Sequence, residues 1–439
     1  MEELTYKSEN EKQFKSLHDR YGWLDQLRGF CVVWLLVAFL TWLFSSILYL
    51  GYPPPVGPTW MNHGYRYGDY FPAIITIIDM GSSIFMFVLG LSAPIAFNSK
   101  IQKKGFGYAW IAILIRFFMF IWFNILIKIF YKIDFSAVGM GFESTDLILV
   151  FIWLGITTVL VILHFLVLKG TKMQTYALLF WTILSVALWF PIITYEYNVW
   201  TIFFGETLAY LAWGTILAGI FLTILKRADQ RIWSAIGLLL LHIILWECAK
   251  YNQMGPTRWF FELFPGTVLD VIGIPFNIIS MGAIAISATC VSDWLLIQYE
   301  DPIQGIRKRI IPFTIIIFCF HFLVDFFQPA EHSGINASLA SVSIFIAIYL
   351  FLAHYAFDKY FNVKIPFLTP LGRNALLMFI LQGIYLFIYG IFWSNALEFR
   401  AQFPGLVGNF LGICLFIGPI ALLIVIAWIL DRLKLYLKF

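Results

Sequence analysis

The sequence predicts an all-α, polytopic integral membrane helical bundle of about 11–12 transmembrane helices with both termini in the cytoplasm. The first observation behind this is composition. Of 439 residues, 61% are hydrophobic, 19% aromatic and only 12% charged, against roughly 25% charged in a soluble domain. The second is that uncharged runs long enough to cross about 30 Å of hydrocarbon, roughly 20 residues each, recur along the whole chain. They are continuously apolar rather than alternating, and lipid-facing backbone must satisfy its own hydrogen bonds, so they are read as helices. The third is the placement of basic residues in the connections between runs.

Taken in order, the runs are approximately 30–50, 70–97, 108–131, 146–168, 174–194, 201–225, 233–251, 266–298, 308–327, 337–356, 370–393 and 405–430. The first follows about 29 mostly polar residues, and from Phe30 to Leu50 it is too long for the apolar core of a signal peptide, so no cleavable signal is predicted. The connection to the second run is the longest outer loop and is stiffened by Pro53, Pro54, Pro55 and Pro58. The eighth run is long enough to be broken or strongly tilted. Residues 1–29 are expected to be a cytoplasmic segment, 30–430 one transmembrane domain, and 431–439 a cytoplasmic tail.

Orientation follows from the 29 Lys and Arg residues. Arg116, Lys128 and Arg373 fall within runs, and Arg66, Lys132, Lys250, Arg258 and Arg400 fall in one set of connections. The other 21 occupy the two termini and the alternate connections, which marks that side as cytoplasmic. An alternation that survives twelve crossings supports the count of runs. Because the basic residues are spread over short loops, the net charge of +4 implies no nucleic-acid partner. The five cysteines all lie in apolar runs, with no CxxC pair and no histidine at metal spacing, so neither a disulfide framework nor a metal site is expected.

Ionisable groups within spans are costly and deserve a functional reading. They are Asp79, Arg116, Lys128, Glu206, Glu247, Asp270, Asp293 and Asp325, with His164, His242 and His321. Asp79, beside Gly81, Ser82 and Ser83, is the hardest to assign to structure alone. On the outer side, His63 lies in a loop six residues before Asp69; imidazole suits proton transfer near neutral pH, and a carboxylate can orient it. Spacing alone reads His63 as a solvated loop histidine. On the inner side, Asp25 and Arg28 read as a local ion pair, or as an arginine fork offered to a phosphate. Asn336-Ala337-Ser338 matches a glycosylation sequon, but it abuts a span and reads as a chance match.

The order LDQLRGF, apolar span, outer histidine and MGSSIFMFVLGLS resembles the heparan-α-glucosaminide N-acetyltransferase family and its microbial relatives among transmembrane acyltransferases. The matching positions are Asp25, Arg28, Gly29, His63, Gly64, Asp69, Gly81, Ser82, Ser83, Phe85 and Gly90. A second block, PFLTPLGRNALLMFILQ, is similar through Pro370, Gly372, Asn374, Ala375 and Leu376, and Asn336 begins a span as a family asparagine does. The resemblance covers the first and last hundred residues; Phe379 and Gln382 stand where the family often has Tyr and His. It implies an acetyl-CoA-dependent enzyme that moves an acyl group from cytosolic acyl-CoA to an amino-sugar or other glycan acceptor on the outer side. His63 and Asp69 would be catalytic, Arg28, Asp25, Asn374 and Arg373 would order the cofactor mouth, and Asp79, Ser82, His332 and Asn336 would line the path.

Two alternatives stay open. A secondary transporter or exporter of a sugar or lipid-linked glycan suits the span count and the carboxylates, although the chain has no visible internal repeat. An O-acetyltransferase of cell-surface polysaccharide differs only in acceptor. The expected setting is the bilayer of a prokaryotic plasma membrane, with a homodimer as an open expectation.

Overall fold

The computed structural model describes residues 22–48, 77–132, 207–251, 269–328, 330, 335–379, 381 and 406–435, with isolated positions between 155 and 187. The main helices are α1 (Gly22–Leu48), α2 (Ile77–Lys104), α3 (Phe106–Lys132), α4 (Thr207–Ile224) and α5 (Ala228–Tyr251). They continue with α6 (Leu269–Leu296), α7 (Pro302–Phe327), α8 (Ala337–Lys359), α9 (Leu368–Arg373) and α10 (Leu406–Arg432). No strand occurs among the described residues. Seven of the described helices are long and apolar enough to cross a membrane, so the chain is an integral, multi-pass helical membrane protein.

The runs expected at 146–168 and 174–194 lie almost wholly outside the described residues. Elsewhere the helices follow the expected runs, with three instructive shifts. Helix α1 starts at Gly22 rather than near residue 30, because the polar head is folded into it: Trp23, Leu24 and Leu27 are buried, and Asp25 and Arg28 pair with each other. The eighth run is one unbroken helix of 28 residues. The eleventh is broken, with α9 ending at Arg373 and Asn374 leaving helical geometry at φ −116° and ψ 27°.

Helix α6 forms the centre of the bundle. Its segment SMGAIAISATC is built from small residues, so neighbouring backbones approach closely, and 83% of its membrane window is buried. At Gly90 of α2, a β-carbon would stand only 2.5 Å from the carbonyl oxygen of Ala285 and 2.7 Å from the Ala288 side chain. Helix α7 is the opposite case, with 39% of its window buried and Ile315, Ile316, Leu323 and Phe326 exposed along its length. Such a face is suited to contact with lipid.

Helix α7 begins irregularly. Residues Ile306–Ile310 form a π-turn, and the Ile311 amide donates to the Ile306 carbonyl. Pro312 explains the local choice: it has no N–H for the Lys308 carbonyl and would crowd it in regular α geometry.

Candidate functional site

Two polar clusters lie at opposite ends of the bundle. The inner one joins the two ends of the chain. On α1, Arg28 Nη1 donates to Asp25 Oδ1 at 3.2 Å, and Arg373 Nε, at the end of α9, stands 3.8 Å from Asp25 Oδ2. Arg373 Nη1 also contacts both oxygens of Asp431 on α10, at 2.9 and 3.1 Å. Asp25 is 1% exposed, whereas the two arginines reach the surface.

Backbone contact fixes this arrangement. Gly29 lies against the Leu368 carbonyl and Gly372 against the Asp25 carbonyl, each so closely that a β-carbon would overlap the oxygen. Gln26 Oε1 accepts the Ile365 amide at 3.0 Å, and Asn374 is buried at the break after α9. All four residues expected at the inner mouth, Asp25, Arg28, Arg373 and Asn374, therefore meet in one place. The ion-pair reading of Asp25 and Arg28 is observed, and both guanidinium groups keep an exposed side that a phosphate can approach. Arg116 on α3 also lies within electrostatic reach of Arg28.

The outer cluster is built mainly by α7 and α8. Ser338 Oγ donates to Asp325 Oδ1 at 2.7 Å, and the same oxygen accepts the Ala330 amide at 2.8 Å. His321 Nδ1 stands 3.2 Å from both the carbonyl and the hydroxyl oxygen of Ser338. A carbonyl only accepts, and the Ser338 hydroxyl proton is directed to Asp325, so Nδ1 carries the proton here. Gln328 Oε1 accepts the Ala337 amide at 3.3 Å and its side chain adjoins the buried His242 of α5.

The entry to α8 is strained. Ile335 is a β-branched residue at φ 34°, its carbonyl accepts the Ser280 hydroxyl of α6, and Asn336 caps the helix by accepting the Leu339 amide at 3.0 Å. Left-handed backbone at such a residue persists only where its surroundings enforce it. Asn336 and Ser338 are buried, so the sequon is not presented for glycosylation, in line with the chance-match reading. Asn336, expected to line a path, caps this helix start.

The remaining expected residues divide cleanly. His63, Asp69, His332, Glu206 and His164 lie outside the described residues, and Asp79 falls on α2 with its side chain outside them. Ser82 and Ser83 are buried in α2, and neither hydroxyl has a hydrogen-bond partner among the described residues. Asp293 pairs with Arg231 of α5, a buried ion pair that fastens α5 to α6 and accounts for one in-span carboxylate as structure. Ser338, Ser341 and Gln328 were not anticipated. The signal available for them was His321 and Asp325 at i and i+4, which puts both on one helix face beside a short polar connection. No protein-family model and no curated protein matches the chain.

Proposed function

We propose that the protein is a membrane acyltransferase that takes an acetyl or related acyl group from cytosolic acyl-CoA and delivers it to an amino-sugar or other glycan acceptor across the membrane. The observation that carries the reading is the meeting of the two sequence blocks behind the family resemblance. Asp25-Arg28-Gly29 and Gly372-Arg373-Asn374 come from opposite ends of the chain and touch through backbone and ion pairs. A shared role at the inner mouth accounts for both motifs together.

In this reading Arg28 and Arg373 hold the phosphates of the donor, with Asp25 and Asp431 fixing their orientation. His63 takes the proton from the acceptor amine or hydroxyl, whose heteroatom attacks the thioester carbonyl; the C–S bond breaks, and the CoA thiolate leaves and is protonated. Asp69 orients the imidazole. In the variant with a covalent step, His63 receives the acyl group first and passes it on. Intersecting initial-velocity lines would favour direct transfer, and parallel lines the acyl-histidine route.

The test is purified protein with radiolabelled acetyl-CoA and glucosamine-type acceptors, comparing wild type with His63→Ala. Label transfer by wild type and its loss in the variant is the expected result. Full transfer by His63→Ala removes that residue from the chemistry, and failure to bind acyl-CoA removes the class. The buried polar cluster at the outer end of α7 and α8 is the observation that also suits a transporter. Sugar flux into proteoliposomes without acyl-CoA would favour it.

A further inference from the structure

We infer that Arg227 and Arg309, held together by Asp229, clamp the phosphate of an anionic phospholipid whose chains lie along α5. The two arginines come from different places on the side that the basic connections mark as cytoplasmic, Arg227 from the α4–α5 turn and Arg309 from the π-turn of α7. One oxygen, Asp229 Oδ2, faces both: Arg309 Nη2 stands 3.4 Å from it and Arg227 Nη2 3.8 Å. Tyr299, in the α6–α7 turn, fixes Arg309 further, its hydroxyl oxygen accepting from Nε at 3.3 Å. Two guanidinium groups so near one oxygen are close enough for two oxygens of a single phosphate to reach both, at about 2.8 Å each.

The carboxylate orders the pair without neutralising it, since one negative charge faces two positive ones. The Arg227 and Arg309 side chains are 75% and 42% exposed, so each guanidinium keeps a side open to a ligand. Lys226, Arg307 and Lys308 are exposed at the same end of the bundle and add positive charge. The carboxylates there are Glu300 and Asp301, and Asp301 is engaged in capping α7 through the Ile303 amide at 3.0 Å.

What lies beneath the clamp identifies its occupant. Trp233 follows Asp229 by four residues on α5, so it shares that face one turn deeper. Gly237, Leu240 and Ile244 continue the face at helical spacing, and all four residues are exposed. A β-carbon at Gly237 would meet nothing, which leaves a notch in the stripe between Trp233 and Leu240. Leu240 lies about 16 Å below Asp229 along the helix, near the middle of the hydrocarbon layer. A phospholipid covers both parts, with its phosphate on the arginines and its chains on the stripe, whereas a soluble anion or an acidic peptide reaches only the first. The inference stands independently of the transferase reading.

The experiment is native mass spectrometry of the detergent-purified chain exchanged against phosphatidylglycerol or phosphatidylcholine. Wild type is expected to retain phosphatidylglycerol preferentially. Arg227→Gln and Arg309→Gln should each weaken retention by about five-fold, the effect of one charge near a lipid surface. Lys103→Gln removes an equal exposed charge at the α2–α3 turn and should leave retention unchanged. Asp229→Asn separates a clamp from a merely basic surface: it makes the site more positive but releases the two arginines, so retention should fall. Arg309→Lys keeps the charge and loses the fork, and should lower retention as well. Should the Arg309 variants not fold, Arg227→Gln and Asp229→Asn still decide. Equal retention of the two lipids, wild-type retention by Arg227→Gln, an equal loss in Lys103→Gln, a rise in Asp229→Asn, or displacement of the lipid by inorganic phosphate at equal concentration would each overturn the inference.

Discussion

The inner and outer polar clusters solve the same problem by different means. At the inner end, charged residues from α1, α9 and α10 are drawn together, and the fit depends on two glycines where backbone meets backbone. At the outer end, one carboxylate and one imidazole of α7 are satisfied by Ser338 of α8 and by the Ala330 amide in the connection between the two helices, and the strain is carried by Ile335. The inner cluster is partly open to water, so its ion pairs are screened and each contributes little. The outer cluster is closed, so every lost hydrogen bond leaves a buried polar group behind. Charge at the inner end holds three chain segments in register, whereas hydrogen bonding at the outer end satisfies buried polar groups.

That contrast can be broken at four points, in decreasing order of effect. Gly372→Ala should cost about 3 kcal/mol or more in SDS-titrated unfolding, because backbone cannot yield to the new methyl group; a tolerated variant would mean the inner contact is looser than described. Asp325→Ala should cost about 3 kcal/mol, since it strands the Ser338 hydroxyl and the Ala330 amide, and a loss below about 1 kcal/mol would place the outer cluster on a par with the inner ion pairs. Ser338→Ala should cost about 1 kcal/mol on the same assay. The smallest effect is a double-mutant cycle on Arg373 and Asp431, with a coupling of about 0.5 kcal/mol that falls as salt is raised. Coupling of several kcal/mol, insensitive to salt, would invert the comparison.

Much of the fold was legible because hydropathy and the side of each lysine and arginine are local properties of the chain. The start of α1 was not, since Asp25, Gln26 and Arg28 look like a polar flank until the partners of Asp25 and Gln26 at Arg373 and Ile365 are known. The resemblance grouped Asp25, Arg28, Arg373 and Asn374 at one inner mouth, but Asp431 and the backbone contacts of Gly29 and Gly372 were not legible, because they join segments from both ends of the chain. At the outer end the reverse holds. His321 and Asp325 are four residues apart and were visible as in-span ionisable groups, but the serines that complete the network are ordinary helix residues until a neighbouring helix faces them. Asp293 was equally visible, and only the arginine opposite showed it to be a fastening between helices.

The π-turn at Ile306–Ile310 has a consequence for His321 and Asp325 far along the same helix. Each α-helical residue advances the helix by about 100°, and a π-turn absorbs one residue more than an α-turn does. If these five residues closed into regular α geometry with nothing removed, the outer half of α7 would rotate by about that angle, carrying His321 and Asp325 away from α8 toward lipid. The turn acts as a phase adjuster with one spare residue, so a single deletion there should preserve the outer network, while the same deletion two turns later should dismantle it.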